Sequence, residues 1–341
     1  MVRKMAYNIW TTGACNLRCK YCYEGLDKPN LHMQLSVAQK VLNYIISDFK
    51  TEGEDELLIN FHGGEPFLNF PIIKFFVSEL KSYYRNKCKM AFSVTTNATV
   101  LTDEIFNFVS NENIDITVSI DGNKNTHNQM RFFANGQGSH DIVMENSLKL
   151  LDKLTHVRVR MTYNSETVSQ LSQNVKYLLD KGFLTIAPGI DSFDNRWDTV
   201  HVDLLKREIL KIKKYLKDYP NAHVGICEKL IYCGKTCKGG IVSKHIYYDG
   251  SIYPCLVACG HEEFVIGNIF GNFNKTKQEE LLAHSLHDNT VCQGCDLDVY
   301  CSGARCKIVN KIKTNRYDTP ALIDCNYTNL IYDLNGVSFP S

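Results

Sequence analysis

Three cysteines stand close together near the amino terminus of the chain. Cys15, Cys19 and Cys22 fall within 8 residues, directly after the first apolar run. A structural zinc site uses four protein ligands, whereas three thiolates leave one coordination position of a bound metal open. Spacings of three and two intervening residues let a short loop wrap one four-iron cluster. Three thiolates on four irons would leave one iron for a substrate or cofactor.

The last third of the chain carries a second and larger group of cysteines. Of 14 cysteines in all, ten lie here: Cys227, Cys233, Cys237, Cys255, Cys259, Cys292, Cys295, Cys301, Cys306 and Cys325. Disulfide frameworks belong to small secreted domains, while this chain has no export signal and is long enough to bury a core. Metal ligation is therefore favoured over disulfides. A zinc ribbon at Cys292, Cys295, Cys301 and Cys306 is the alternative to iron–sulfur clusters, and it would leave Cys237, Cys255 and Cys325 without a role.

Charge and hydropathy exclude several classes of partner. The 341 residues include 38 Lys and Arg against 37 Asp and Glu, a net charge of +1 that provides no field to attract nucleic acid or anionic lipid. No apolar window approaches the length of a membrane span, and the amino terminus lacks the pattern of a signal peptide. We expect a cytoplasmic protein that binds neither nucleic acid nor membrane.

Short apolar runs alternate with helical patterns through the first two thirds of the chain. Strands are predicted at residues 6–12, 56–62, 89–95, 114–120, 157–162 and 185–188, with helices between them, the clearest capped by Ser36. This alternation indicates an α/β protein with a parallel sheet. It predicts a partial (β/α)6 barrel of the TIM type, with an open doubly wound sheet as the alternative.

Several of these strands alternate apolar with polar residues, although strands covered on both faces usually read as continuous apolar runs. Asn60, Ser93, Thr117 and Arg158 would share one face of the sheet, because side chains alternate with period two. We expect a polar lumen, with the chemistry at the carboxyl ends of the strands. His62, Arg158 and Arg160 would either touch a ligand there or serve only as a core histidine and paired arginines.

The chain divides in composition near residue 220. Residues 1–220 are predicted to form the barrel and a connector, and residues 221–341 a small cysteine-rich α+β domain. A β-hairpin is expected around Asp249 and Gly250, two residues that tolerate the positive φ of tight turns.

The order of the motifs resembles the radical S-adenosylmethionine family. The three-cysteine loop follows the first predicted strand, Gly63-Gly64-Glu65-Pro66 the second, Thr96-Asn97 the third, Ser119-Ile120-Asp121-Gly122 the fourth, and His127-Asn128-Gln129-Met130-Arg131 comes next. The resemblance implies that Cys15, Cys19 and Cys22 hold a [4Fe-4S] cluster and that S-adenosylmethionine binds its open iron. It places Tyr21 against adenine, and the glycines with Glu65 and Asn97 around the cofactor. Ser119 and Arg131 would hold the methionine carboxylate, for which a hydroxyl and a cation are suited.

The cysteine-rich part resembles the SPASM extension of that family, which carries two auxiliary [4Fe-4S] clusters. The resemblance implies an outer cluster on Cys292, Cys295, Cys301 and Cys325. A cluster nearer the barrel would use Cys237, Cys255 and Cys306, with Cys233, Cys227 or no cysteine as its fourth ligand. The chain departs from the family by one extra residue between Cys301 and Cys306.

In the resembled family, S-adenosylmethionine is cleaved reductively to a 5′-deoxyadenosyl radical that abstracts hydrogen from a substrate. The resemblance implies an enzyme that matures a peptide or protein, with thioether formation in a ribosomal peptide as the leading expectation. Sulfatase maturation and peptide epimerisation are alternatives. Leu256 stands where sulfatase-maturating members carry an aspartate base, and Cys259 would donate hydrogen in an epimerase unless it is an idle buried thiol.

The implied partners are a peptide or protein substrate and a reducing electron donor of the flavodoxin or ferredoxin type. Because the first strand begins at Ala6, no leader-binding domain is expected before it. Either a separate leader-peptide-binding protein brings the substrate, or the barrel and the hairpin bind it directly. A non-enzymatic zinc-binding scaffold is the rival from another class.

Overall fold

The computed structural model describes residues 4–50, 55–154, 156–234, 236–271 and 273–338, so the outermost ends of both predicted domains lie outside it. Its centre is a run of six parallel strands: β1 (Lys4–Thr12), β2 (Glu56–Gly63), β3 (Lys89–Thr96), β4 (Asp115–Ser119), β5 (Val157–Tyr163) and β6 (Thr185–Ile190). All six predicted strands are confirmed. Neighbours in sequence are neighbours in the sheet, without the reversal of strand order that marks a doubly wound sheet. The fold is the predicted partial barrel.

Eleven helices cover the described parts of the chain. They are α1 (Leu35–Asp48), α2 (Phe70–Tyr83), α3 (Asp103–Asn111), α4 (Lys124–Met130), α5 (His140–Lys153), α6 (Leu171–Asp180), α7 (Thr199–Tyr215), α8 (Lys275–Ala283), α9 (Ser302–Arg305), α10 (Lys307–Thr314) and α11 (Leu322–Asn335). None of these helices is both long and apolar enough to cross a bilayer.

The predicted cap of the first helix is wrong. Helix α1 begins at Leu35, so Ser36 lies inside its first turn and Gln34 occupies the cap position. Gln34 has extended backbone, and its carbonyl accepts hydrogen bonds from the amides of Val37 and Ala38 at 3.0 and 2.9 Å. The backbone alone starts this helix, and no side-chain cap is required.

One face of the central strands is polar, as predicted. Asn60, Ser93, Thr117 and Arg158 line one cavity of about 440 Å³ inside the barrel. Alternate residues on the same strands, such as Ile59 and Phe61, are fully buried in the core formed with the surrounding helices. The lumen is therefore polar because the helices cover only the outer face of the sheet.

The cysteine-rich part continues the same sheet. The remaining strands are β7 (His223–Val224), β8 (Leu230–Ile231), β9 (Ser243–Ile246), β10 (Ser251–Tyr253), β11 (Gly267–Asn268) and β12 (Val337–Ser338). Strand β9 pairs in parallel with β1, and β10 and β11 follow it antiparallel, while β7 extends the opposite edge beside β6. Strands β8 and β12 pair with each other in a separate two-stranded sheet. Strands β9 and β10 form the predicted hairpin, and Gly250 takes a positive φ of 89° in its turn. This arrangement places the cysteine-rich part beside the first strand and its loop.

Candidate active site

The three-cysteine loop leaves β1 and is tied down along its length. Backbone bonds join Gly13 to Leu31 at its base, while the amides of Arg18 and Lys20 donate to the carbonyls of Phe132 and Met130 at 2.7 and 3.0 Å. The loop is therefore held against the segment that follows α4. This attachment brings the predicted residue Arg131 to the cysteines.

Each thiol of the first thiol set (Cys15, Cys19 and Cys22) accepts a hydrogen bond from a different part of the chain. Asn97 Nδ2, at the end of β3, donates to Cys15 Sγ at 3.8 Å, and Arg131 Nη1 donates to Cys19 Sγ at 3.8 Å.

Lys28 Nζ donates to Cys22 Sγ at 2.9 Å. Burial raises the pKa of Cys15 to about 12, Glu65 adds to it, and the charge of Lys28 opposes it. Sulfur atoms that accept N–H bonds from three directions suit thiolates holding a metal cluster.

The Gly-Gly-Glu segment locks the end of β2 onto this loop. A Cβ on Gly64 would lie 2.3 Å from the carbonyl oxygen of Ala14, and one on Gly63 would lie 2.3 Å from that of Thr12, where φ is 141°. Only glycine permits this approach. The glycines thus position the cysteine loop, a role that the sequence argument did not give them.

Glu65 is completely buried and accepts three hydrogen bonds. They come from Thr96 Oγ1 and the Asn97 amide, both at 2.7 Å, and from the Phe67 amide at 3.2 Å. Burial raises the pKa of Glu65 to about 7, and these bonds act in the opposite direction. Glu65 therefore fixes the end of β3. It also fixes the position of Asn97, whose side-chain amide donates to Cys15 Sγ.

Tyr21, Asp121 and Arg131 form a buried network next to Cys19. Arg131 donates through Nε and Nη2 to the two carboxylate oxygens of Asp121, at 2.9 and 3.2 Å, and its guanidinium lies 5.1 Å from the centre of the Tyr21 ring. The Tyr21 hydroxyl also donates to Asp121. Two of the predicted cofactor residues are thus brought together by an aspartate, while Ser119 lies at the end of β4, in register with Arg160 on β5.

Two histidines flank Trp10 near the carboxyl ends of β1, β2 and β9. The rings of Trp10 and His62 stack with centroids 5.2 Å apart, and His245 lies 5.7 Å from Trp10. Burial lowers the pKa of His62 to about 4 and that of His245 to about 3. Both imidazoles are therefore neutral at pH 7. Arg158 and Arg160, in contrast, take part in none of the ion pairs found among the described residues.

The outer thiol set (Cys292, Cys295, Cys301 and Cys325) gathers at one place, although its members are up to 33 residues apart in sequence. Burial raises the pKa of the Cys325 thiol, and the three other thiols act in the same direction because they are close. Asn289 donates to Cys292 Sγ at 3.6 Å and Thr328 to Cys301 Sγ at 3.3 Å. Cys295 and Cys325 are exposed, so this set opens to solvent.

The inner thiol set (Cys237, Cys255 and Cys306) gathers at a second place. Burial raises the pKa of Cys255 to about 12, and Cys237 and Cys306 add to it. Cys233 influences Cys306 as well. Its Sγ lies 3.2 Å from the carbonyl oxygen of Val299, a contact in which it donates rather than accepts.

The remaining cysteines are not members of these sets, although Cys259 contacts the inner one. Cys227 and Cys88 pack against the main hydrophobic core. Cys259 is buried in a second apolar cluster with Trp10 and Tyr253, and its Sγ donates to the carbonyl of Cys255 at 3.5 Å. Among the described residues, no three His, Cys, Asp or Glu side chains are grouped closely enough to hold a single metal ion.

A cavity of about 530 Å³ opens at the carboxyl end of the barrel. Its lining includes Tyr21, Cys22 and Tyr23 from the cysteine loop, Asn164, Asp191 and Phe193 from the loops after β5 and β6, and Val257, His261 and Ile312 from the cysteine-rich part. The two halves of the chain therefore share one space, and the loop that carries the first thiol set forms its wall. Such a cavity can enclose a cofactor together with a substrate.

Sequence reasoning missed several polar residues of this region. Lys28 lies six residues beyond Cys22, and Glu24 accepts a bond from Trp10 Nε1 at 3.0 Å. Asp121 stands in the motif after the fourth predicted strand, but its bonds to Arg131 and Tyr21 were not predicted. No spacing or motif in the sequence predicts these contacts, because each depends on how separate loops approach one another in the folded chain.

Comparison with known proteins agrees with this site. The family model described as a 4Fe-4S single cluster domain matches residues 4–142. A cysteine-type anaerobic sulfatase-maturating enzyme of Clostridium novyi (strain NT) is 26% identical over 330 residues, 85% of either chain. The radical SAM cyclopropyl synthase TigE of Paramaledivibacter caminithermalis is 23% identical, over 87% of this chain and 67% of TigE.

Two solved structures share the fold. Native anSMEcpe with bound AdoMet superposes with a TM-score of 0.79 at 18% identity and covers 97% of this chain and 96% of its own. Streptococcus suis SuiB bound to its precursor peptide SuiA superposes with a TM-score of 0.67 at 16% identity, over 95% of this chain and 76% of SuiB. Both likenesses extend through the barrel and the cysteine-rich part.

The ordered motifs, the partial barrel and these relatives together support a radical S-adenosylmethionine enzyme. They support the SPASM maturase type within that family, an enzyme that modifies peptides or proteins with S-adenosylmethionine and a [4Fe-4S] cluster.

Proposed function

We propose that this enzyme forms a thioether within a peptide substrate, with its first [4Fe-4S] cluster held by Cys15, Cys19 and Cys22. The fit of the cluster is supported by the N–H donors on all three sulfur atoms and by the glycine contacts that fix the loop. When bound, the cluster and S-adenosylmethionine supply a 5′-deoxyadenosyl radical. The chain's own residues hold the cofactor and enclose the reacting groups.

The proposed cofactor contacts follow the ends of the strands. Tyr21 would lie along adenine, and the backbone at Gly63 and Gly64 would receive the methionine amino group. Ser119 and Arg131 would hold the carboxylate. Asp121 occupies two donors of Arg131 and fixes the guanidinium in one orientation, with Nη1 directed toward Cys19. Arg131 therefore meets a bound carboxylate without first having to be ordered.

Two auxiliary [4Fe-4S] clusters are proposed in the cysteine-rich part, giving three in all. The outer thiol set would hold one and the inner thiol set the other. Cys233 is the proposed fourth ligand of the inner cluster, because it lies near Cys306 whereas Cys227 packs elsewhere. The exposed outer set suits exchange of electrons with a flavodoxin- or ferredoxin-type protein.

The shared cavity is the observation that carries the proposal of a peptide substrate. Its walls come from the cysteine loop and from the segment directly after Cys255, so a peptide residue inside it contacts both. SuiB, which has this fold, binds a precursor peptide. The proposed peptide reaches the cavity alone or on a separate leader-binding protein, in the cytoplasm.

Sulfatase maturation is the second candidate, favoured by the extent of the likeness to the Clostridium novyi enzyme. By the family resemblance, such enzymes carry an aspartate base at the position of Leu256. Leu256 packs against the second apolar cluster and has no proton to exchange. The thioether proposal does not require a base at this position.

The test begins with iron, sulfide and zinc per chain in anaerobically reconstituted protein and with formation of 5′-deoxyadenosine under reduction. The enzyme is then incubated with each short cysteine-containing peptide encoded beside its gene and with a sulfatase active-site peptide. Thioether formation removes a pair of hydrogen atoms and retains sulfur, which mass spectrometry detects. Replacement of sulfur by oxygen would support sulfatase maturation instead, and deuterium uptake from heavy water alone would indicate epimerisation. Zinc without 5′-deoxyadenosine would overturn the enzyme proposal.

A further inference from the structure

The ammonium group of Lys28 lies directly beside one thiol of the first set. Its Nζ lies 2.9 Å from Cys22 Sγ, within the distance of a charge-assisted hydrogen bond to sulfur. Among the ion pairs between described residues, none joins Lys28 to a carboxylate. Its charge therefore acts on the thiol and is not neutralised by an acidic neighbour.

The other two donors bring no comparable net charge. Asn97, on Cys15, is a neutral amide. Arg131, on Cys19, forms a two-bond ion pair with Asp121, and the pair as a whole is neutral. Among the described groups that donate to the three sulfur atoms, only Lys28 therefore brings a positive charge without a paired carboxylate.

Charge near a cluster changes its reduction potential. Iron–sulfur potentials depend on net charge and on hydrogen bonds to the sulfur atoms, and reduction adds one negative charge to the cluster. A fixed cation beside a ligand sulfur stabilises the reduced form more than the oxidised form, and this effect is stronger away from bulk water. Lys28 is only partly exposed.

We infer that Lys28 raises the reduction potential of the cluster held by Cys15, Cys19 and Cys22, and so sets which electron donors can reduce it. The inference rests on the proposed function. Lys28 acts through Cys22, which lines the cavity, and is not a catalytic residue, since Lys28 itself is not part of the cavity lining.

The contact is separable from the architecture of the loop. The turn at Cys22 is closed by backbone bonds, from the Cys22 amide to Cys19 and from the Gly25 amide to Cys22, at 3.1 and 2.9 Å. The base of the loop is closed by the bond from Gly13 to Leu31. Removal of the ammonium group therefore leaves the loop's own bonds in place.

The experiment is a redox titration of the holoenzyme, monitored by electron paramagnetic resonance. The first cluster is identified as the signal component that changes when S-adenosylmethionine is added. The variants are Lys28→Met, Lys28→Gln and Lys28→Arg, with Lys74→Met as the control, since Lys74 pairs with Glu104 on the surface far along the chain. We expect Lys28→Met and Lys28→Gln to lower the ratio of reduced to oxidised cluster about tenfold at a fixed potential, a shift of about 59 mV for one electron. Lys28→Arg should stay near the wild type.

Several results would overturn the inference. One is a potential in Lys28→Met and Lys28→Gln equal to that of Lys74→Met. Another is a normal potential in Lys28→Gln alone, which would mean that hydrogen bonding and not charge is responsible. Loss of first-cluster iron in both variants would show that Lys28 serves assembly instead of potential. The wild-type signal separates this test from the proposed function. A wild type with no component sensitive to S-adenosylmethionine would count against the proposed function, whereas the inference about Lys28 is judged from the variants once the wild type shows that component.

Discussion

Asp121 carries a buried charge on which the cofactor side of the site depends. Its side chain is 1% exposed and accepts bonds from Arg131, from Tyr21 and from the Thr162 amide on β5 at 2.9 Å. One carboxylate thus joins the cysteine loop, the segment after α4 and the next strand. A buried ion pair with all its hydrogen bonds made is costly to break, because the remaining charge has no water to solvate it.

Asp121→Asn is therefore expected to lower the free energy of unfolding by about 3–5 kcal/mol, since it leaves the Arg131 guanidinium buried without its counter-charge. Urea unfolding measures this change. Glu145→Gln is the matched control, because Glu145 pairs with Lys149 on the surface, where both side chains are more than half exposed, and no measurable change is expected there. Equal stabilities of the two variants would contradict the role given to Asp121.

The sequence predicted the thiols of the site better than their partners. Cysteines at ligand spacing can be recognised in a sequence, because few other structures use closely spaced cysteines in a chain long enough to bury a core. Lys28 and Asp121 carry common side chains in loops, and only the folded approach of those loops gives them a function. The same reason explains why the sequence did not predict that Glu65, expected around the cofactor, accepts the bonds that fix the end of β3.

At the scale of elements, the end of β2 is built around the close approach of Gly64 to the cysteine loop. The Gly64 amide donates to the Thr12 carbonyl at 3.1 Å and the Glu65 amide to the Ala14 carbonyl at 2.9 Å. These bonds continue the pairing of β1 and β2 beyond the strands. They fix where the first thiol set begins relative to the barrel.

Gly64→Ala is expected to displace this loop. The new Cβ would lie 2.3 Å from the backbone oxygen of Ala14, which cannot move without breaking its bond to Glu65. We expect a loss of about 1–3 kcal/mol in stability and a loss of first-cluster iron and of 5′-deoxyadenosine formation. Iron analysis and the cleavage assay measure this. Gly271→Ala, where no atom lies within 4 Å of the added Cβ, should retain both, and cleavage by Gly64→Ala at the wild-type rate would disprove the steric argument.

The longer elements followed from the sequence and the shortest did not. Strands β1 to β6 have 5 to 9 residues, enough for an apolar pattern to show. Strands β7, β9 and β11 have two to four residues, too few for periodicity, and they form only where an existing sheet edge offers partners. The sequence therefore predicted the barrel and the hairpin, but not that the hairpin joins β1.

For the molecule as a whole, three buried histidines and Glu65 contribute to the response of stability to acid. Burial lowers the pKa of His62 to about 4 and those of His127 and His245 to about 3, so these histidines bind protons in the unfolded chain near pH 6.5 but not in the folded one. Their contribution to stability is complete above pH 6.5 and is lost as the pH falls toward 4. Glu65, with its pKa raised to about 7, acts oppositely, since the folded chain keeps its proton between pH 4.5 and 7.

Between pH 4.5 and 6.5, the three histidines bind protons when the chain unfolds, and Glu65 releases one. The net effect is an uptake of protons on unfolding. We expect the free energy of unfolding to rise with pH across this range, by about 1.4 kcal/mol per pH unit for each net proton. His127→Gln should reduce the slope by about one proton, because His127 is completely buried. Urea unfolding at pH 5 and 7 gives the slope, with His223→Gln as an exposed control. An unchanged slope in His127→Gln would contradict the assignment of a neutral buried imidazole.

The metal content of the whole chain should also reflect three separate thiol sets. Because each set is assembled by its own loops, removal of one set should leave the other two loaded. We expect about 12 irons per wild-type chain, and about 8 after Cys15, Cys19 and Cys22 are all replaced by alanine, from four irons per cluster. That variant should not cleave S-adenosylmethionine.

Cys295→Ala should remove only the outer cluster and retain cleavage, because Cys295 is exposed and does not line the cavity whose wall the cysteine loop forms. Cys227→Ala is the matched control, since Cys227 comes from the same part of the chain but packs against the main core and joins neither thiol set. Iron and sulfide analysis together with the electron paramagnetic resonance of each variant measures the outcome. Loss of iron in Cys227→Ala would make Cys227, and not Cys233, the fourth inner ligand. Loss of all iron in Cys295→Ala would mean that the clusters assemble as one unit, and the independence of the three thiol sets would then be wrong.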